Sequence, residues 1–205
     1  SLYGMTAQVT TFHRLGGVLA LGTDWTYSGS IRMDRELACA DRLNQEYYDG
    51  YFTDRDLWEM ATINGAIASG VEDQLGSLEA GKVGDIAVFD TRAQPRYRAI
   101  IEPTPEGAAL VLRGGEALYG ELELMDALDD SCEEIDACGQ PRAVCTEREY
   151  GATFDEISDA VSDAYPVFFC DGEPTDEPTE EDHHDGFHQR GHRSHSDVYF
   201  FLVEI

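Results

Sequence analysis

The chain has 205 residues, enough for one ordinary domain or two small ones, and its 42% apolar share can furnish a packed core. A formal net charge of −27 repels nucleic acid and anionic membrane surfaces, so neither is expected as a partner. The charge is uneven: residues 1–120 hold 17 acidic and 10 basic side chains, whereas residues 121–205 hold 24 and 4, which sets an expected boundary near Gly120.

In chain order, residues 6–15 are predicted to form a helix with Thr6 as N-cap. Val9, Phe12 and Leu15 recur at helical spacing, and Gly16-Gly17 ends the run. Val18-Leu19-Ala20-Leu21-Gly22 is a short, continuously apolar strand of the kind buried on both faces in parallel α/β sheets. It terminates at Thr23-Asp24-Trp25, and a small-residue loop, Ser28-Gly29-Ser30, leads to a helix from Met33 to about Tyr48. Thr53 and Asp56 make a capping-box start for a further helix through Leu57, Met60 and Ala68 to Gly70.

From Gly76 the pattern turns to strands, at residues 85–90, 108–113 and 116–119, the last two joined by a Gly114-Gly115 turn that needs positive φ at both positions. One antiparallel sheet is expected from these three. Thr153 and Glu156 cap a last helix expected to end at Tyr165-Pro166. Residues 171–197, rich in Pro, Gly, His and acids, are expected to be disordered, and residues 198–203 are β-prone.

Asp24 sits at the C-terminal tip of a buried strand, where an unpaired carboxylate is costly and where parallel barrels keep their catalytic groups. Taken alone, an aspartate at a strand end is more often a helix cap or a loop turn. Three further stretches supply the context. Thr62-Ile63-Asn64-Gly65-Ala66 with Gly70 resembles the Thr-x-Asn-x-Ala helix of amidohydrolases. The run Leu75-Gly76-Ser77-Leu78-Glu79-Ala80-Gly81-Lys82-Val83-Gly84-Asp85-Ile86-Ala87-Val88-Phe89-Asp90 resembles the segment that leads their chain into a small β-sandwich. Residues 111–119, with Gly114-Gly115, resemble the final sandwich hairpin. Order and spacing match from Ser1 to about Gly120.

The resemblance implies an α/β fold: the C-terminal part of a (β/α)8 barrel over residues 1–75 and part of a β-sandwich over 76–120. An acidic cysteine-containing extension over 121–170 and a tail over 171–205 would follow. It implies that Asp24 is a ligand to a divalent metal, zinc for preference, and takes the proton of the attacking water. Trp25, Ser28, Gly29 and Ser30 would line the pocket of a small-molecule substrate, although an ordinary barrel loop explains them as well. The implied reaction is hydrolysis of an amide, cyclic amide or related C–N bond. Against the family pattern, the His-x-His pair, the bridging lysine or acid, and the histidines of the earlier strands are absent. The one histidine in the matching region is His13, which reads more simply as a packing residue. The chain alone is therefore expected to be inactive and to need the remainder of the barrel, or to associate with itself. The alternative is a non-catalytic structural or interaction protein that retains half of the fold.

Of five cysteines, Cys132, Cys138, Cys145 and Cys170 lie in the acidic segment and are the ones expected to form disulfides, with Cys39 a thiol inside a helix. Disulfides there would favour export. The tail as a whole, with Cys138-Gly139-Gln140-Pro141-Arg142-Ala143-Val144-Cys145 and Tyr165-Pro166-Val167-Phe168-Phe169-Cys170, resembles C-terminal extensions of some bacterial amidohydrolases. No CxxC pair occurs, so a structural zinc site of the usual spacing is not expected. No apolar run is long enough to span a bilayer, and no signal peptide is read. The tract of His183, His184, His188, His192 and His195 suits low-complexity sequence better than a metal site of fixed geometry.

Overall fold

The computed structural model describes residues 7–23, 32–92, 94–101, 107–129, 131–161 and 199–203. It divides into two compact units: residues 1–77, 100–102 and 173–205 form one, and residues 78–99 and 103–172 form the other.

The first unit is organised around β1 (Val18–Gly22), the buried strand expected at those positions. Leu19, Ala20 and Leu21 are all buried, which is why an apolar run without alternation suits this place. Four helices contact it: α1 (Val9–Arg14), α2 (Met33–Tyr47), α3 (Asp54–Met60) and α4 (Ile63–Ser69). The helix α2 buries Leu37, Ala40, Leu43 and Asn44 along one face, and Asp34 and Glu36 lie in its first turn, where the helix dipole favours acids. The capping box at Thr53 and Asp56 is present and opens α3.

Three expectations are corrected. The first helix starts at Val9, with Gln8 at the cap position and no side-chain cap, and Leu15 beyond its end is exposed; Thr6 lies outside the described residues. The helix predicted to continue to Gly70 is two helices. Thr62, with φ −127° and ψ −99°, leaves helical geometry and turns its hydroxyl onto the Trp58 carbonyl at 2.8 Å. The described partner of β1 is β7 (Tyr199–Val203), which runs antiparallel to it from Val18↔Val203 to Gly22↔Tyr199. A strand of the kind found in parallel sheets was expected here, and the neighbour described for it is antiparallel.

The second unit is an antiparallel sheet in the order β2-β3-β4-β6-β5. Its strands are β2 (Ile86–Phe89), β3 (Ala108–Arg113), β4 (Glu116–Glu121), β5 (Glu133–Ala137) and β6 (Gln140–Val144). Gly114 and Gly115 form the β3–β4 turn with φ of 61° and 87°, as expected of a two-residue hairpin. Helix α6 (Leu122–Leu128) follows β4 and buries Met125 completely in a core with Ala117, Ala143 and Cys145. Gly120, where the charge balance shifts, lies inside β4, and the sheet continues into the acidic segment through β6 and β5. The remaining helices are the single turn α5 (Arg98–Ile101), α7 (Thr146–Tyr150) and α8 (Phe154–Val161). Thr153 and Glu156 cap α8 reciprocally, at 3.0 and 3.2 Å. The disorder expected for residues 171–197 concerns positions outside the described residues.

Cys132 and Cys145 form a disulfide, Cys138 is also disulfide-bonded, and Cys39 retains its thiol with the Arg42 Nη2 donor 3.8 Å away. Among the described residues no helix is long and apolar enough to cross a membrane.

Candidate functional site

The strand β1 ends at Gly22, and Thr23 is the last described residue before the segment named in the sequence. Asp24, Trp25, Ser28, Gly29 and Ser30 all lie outside the described residues. In the chain they lie between two described elements. These are β1, buried at its centre, and α2, whose N-terminal turn carries an ion pair between Arg32 and Asp34 at 3.2 Å.

The Thr-x-Asn-x-Ala stretch turns out to brace β1. Asn64 Nδ2 donates to the Leu19 carbonyl at 2.8 Å, tying α4 to the middle of β1. Gly76 packs tightly beside the same helix: a Cβ there would lie 2.7 Å from Ala66 Cβ and 3.0 Å from Ile63 Cα, and its φ is +87°. Both sterics and backbone require glycine. Gly76→Ala is therefore expected to cost about 2–3 kcal/mol, combining left-handed strain and overpacking. Gly70→Ala has the strain at φ +68° but open space around the Cβ, and is expected to cost about 1–2 kcal/mol. Urea unfolding of the two variants checks this, and equal losses would contradict the packing argument.

His13 is a packing residue. Its Nδ1 lies 3.1 Å from the Tyr51 hydroxyl, and its ring meets Tyr51 and Phe52 edge-on. Arg14 stacks over the Tyr51 ring at 4.8 Å. Nearby, Tyr48 donates to the Ala7 carbonyl at 3.1 Å, and burial, with Tyr47 beside it, pushes its phenol up to about 12.

In the second unit the glycines and aspartate of the sequence 81–85 have structural duties. Gly84 accepts from the Gly115 amide at 2.9 Å, and a Cβ on Gly84 would meet Gly115 Cα at 2.9 Å. Asp85 Oδ1 accepts from the Gly114 amide at 2.7 Å. The long family-like stretch thus encodes the seat of the β3–β4 hairpin.

No ligand spacing in the sequence marks a second constellation, formed by Asp129, Cys132 and Cys145, whose ligand atoms lie within 4.8 Å of one another. Asp129 accepts from the Ser131 hydroxyl at 2.6 Å, the Ser131 amide at 3.0 Å and Arg148 Nη1 at 2.7 Å. The Ser131 hydroxyl and amide, with Arg148 beyond them, hold this carboxyl below the usual carboxylate range. Arg148 also pairs with Glu116 at 3.2 Å and donates to the Ala117 carbonyl. A cleft of about 280 Å³ opens beside the disulfide, lined by Ser131, Glu133, Thr146, Glu147 and Arg148 among others. The signal that could have revealed this cluster is the pairing register of a hairpin, which no ligand-spacing rule contains.

A buried strand braced by helices, followed by a small antiparallel sheet, defines a mixed α/β protein whose residues of interest follow a strand end. The profile of the Amidohydrolase family matches residues 11–117, just over half of the chain, and the chain belongs to that family. It is similar to a 5-methylthioadenosine/S-adenosylhomocysteine deaminase of Desulforamulus reducens, at 31% identity over 104 residues. That match covers 46% of this chain and 23% of the relative. A deaminase of the same name from Teredinibacter turnerae is 68% identical over 31 residues, covering 15% of this chain and 7% of the relative. An S-triazine hydrolase of Gordonia rubripertincta is 55% identical over 40 residues, covering 20% and 8%. The chain thus spans less than a quarter of the length of these relatives.

Proposed function

We propose that this chain is the C-terminal part of a metal-dependent amidohydrolase that hydrolyses an amide, cyclic amide or related C–N bond. In this reading residues 1–75 complete a barrel, residues 76–120 belong to a small β-sandwich, and residues 121–170 are an acidic, disulfide-bearing extension. The observation that carries the reading is β1: a buried strand at Val18–Gly22, inside the family match, with Asp24 two residues past its end. Two of the similar proteins are named as deaminases, which cleave C–N bonds, and this supports the substrate class.

Asp24 is proposed as metal ligand and general base, with Trp25, Ser28, Gly29 and Ser30 facing a small-molecule substrate. A carboxylate at this strand tip can orient a water and accept its proton as the water attacks. Among the described residues no group completes a metal centre with Asp24. The one described histidine, His13, is engaged with Tyr51, and the metal-ligating group found among the described residues belongs to the other unit. The remaining ligands, and the divalent ion, come with the remainder of the barrel. Nucleic acid and membrane are not proposed partners, given the net charge of −27. The disulfides support an oxidising compartment.

A non-catalytic interaction protein is the second reading, and β7 favours it, because β7 takes an edge of β1 that a neighbouring barrel strand would otherwise use. An amidase and deaminase screen separates the two, run on the isolated chain and on a chain carrying the whole barrel, each with and without zinc. The isolated chain is expected to be inactive with every divalent ion and the whole barrel active. Zinc-dependent turnover by the isolated chain that survives Asp24→Asn overturns the proposal, and an inactive whole barrel favours the interaction protein.

A further inference from the structure

The Cys132–Cys145 disulfide joins neighbouring strands. Glu133 of β5 pairs with Val144 of β6, so the next pair outward is Cys132 with Cys145, whose Cα atoms are 4.5 Å apart. The sulfur–sulfur bond is not alone in holding them there. Five register pairs form the hairpin, and the Cys145 amide donates to the Leu118 carbonyl at 2.9 Å. Glu133 Oε2 accepts from the Thr146 hydroxyl at 2.8 Å and from the Phe154 amide at 2.7 Å, pinning both flanks. Thiols released by reduction therefore stay side by side. Asp129 completes a three-donor set: its Oδ1 takes both Ser131 bonds, whereas among the described residues Oδ2 accepts from Arg148 alone and keeps a lone pair.

We propose that reduction of this disulfide turns Asp129, Cys132 and Cys145 into a binding site for a soft divalent cation such as zinc, a site closed when the disulfide is formed. A dithiol reductant supplies two electrons and two protons to the S–S bond and leaves as its own cyclic disulfide. As Zn²⁺ enters, the two thiols release their protons to solvent, and two Zn–S bonds and one Zn–O bond form. Tetrahedral zinc with Zn–S of ~2.3 Å needs the sulfurs about 3.8 Å apart, within reach of side-chain rotation from these backbones. Two thiolates and a carboxylate exceed the ion's charge by one, and Arg148 beside Asp129 offsets that excess. The fourth position faces the cleft lined by Thr146 and Glu147, which leaves it to water or an added ligand. Two sulfur ligands select zinc over magnesium or calcium.

The test uses the full 205-residue chain, reduced with a dithiol and freed of it under argon, with Co²⁺ alone as the probe. A thiolate-to-cobalt charge-transfer band is expected in the reduced protein and not in the oxidised one. It should vanish in the reduced Cys132→Ser/Cys145→Ser variant, and Asp129→Asn should weaken Co²⁺ binding at least ~10-fold, since loss of even an outer-shell partner costs that much. A second measurement needs no variant: Zn²⁺ added to the reduced wild-type chain should shield Cys132 and Cys145 from alkylation, as mapped by mass, while Cys39 still reacts. Absence of the band in the reduced wild type, its persistence in the double variant, or alkylation of Cys132 and Cys145 unaffected by zinc each overturns the proposal.

Discussion

Asp24→Asn, made in a chain whose barrel is complete, is expected to lower turnover at least ~100-fold and to leave the fold unchanged, the low end of what a positioned general base contributes. Asn keeps the size of the side chain and one of its hydrogen-bonding oxygens. It cannot take a proton from water, and it is a poorer ligand for a hard cation. The strand before it has its own supports: Leu19, Ala20 and Leu21 are buried by their apolar surface, and Asn64 braces the strand through its backbone. Turnover measured with saturating zinc, alongside thermal unfolding, separates a chemical effect from a structural one. Turnover within 10-fold of wild type, with zinc bound, would remove Asp24 from the mechanism.

Asn44→Ala is expected to cost about 3 kcal/mol of stability. Asn44 is 1% exposed, and its amide bridges the chain where α2 hands over to α3. Its Nδ2 donates to the Phe52 carbonyl at 2.8 Å, and its Oδ1 accepts from the Phe52 amide at 2.9 Å. Alanine leaves both buried backbone groups without these bonds, at roughly 1–3 kcal/mol each before any water enters. Phe52 itself is buried and meets His13, Tyr48 and Tyr51 edge-on, so its displacement would loosen that aromatic cluster too. Urea unfolding with a constant m-value checks the figure. A loss under 1 kcal/mol would mean that the turn relaxes to find other partners.

Where the sequence was legible, the reason is local. The β1 run is apolar throughout and bounded by glycines, and its limits match residue for residue. Thr53 with Asp56 and Gly114-Gly115 carry their conformations in their own chemistry. The break between α3 and α4 was not legible, because Ala61 and Thr62 look compatible with a continuous helix and only the backbone geometry at Thr62 interrupts it. The β5–β6 hairpin was missed for a different reason. Its strands read Glu-Glu-Ile-Asp-Ala and Gln-Pro-Arg-Ala-Val, with little apolar alternation, and its turn is Cys138-Gly139, where both φ angles are positive at 59° and 80°. Cysteine is an uncommon residue for that conformation, which here also has Asp136 Oδ1 accepting from the Gly139 amide at 2.7 Å. Of the candidate site, the supporting strand and Asn64 were legible from the motif order. A ligand set contributed by other segments cannot be read from this one.

The pairing of β1 with β7 also sets the order in which the chain can fold. Every strand pair of the second unit joins residues between 86 and 144, so those contacts close short loops and can form early. The β1–β7 ladder joins residue 18 to residue 203 and must wait until nearly all of the described sequence has left the ribosome. Until then the edge of β1 that β7 takes is unpaired in the growing chain, and the interval before β7 arrives is when that edge is most exposed to mispairing and to chaperone capture.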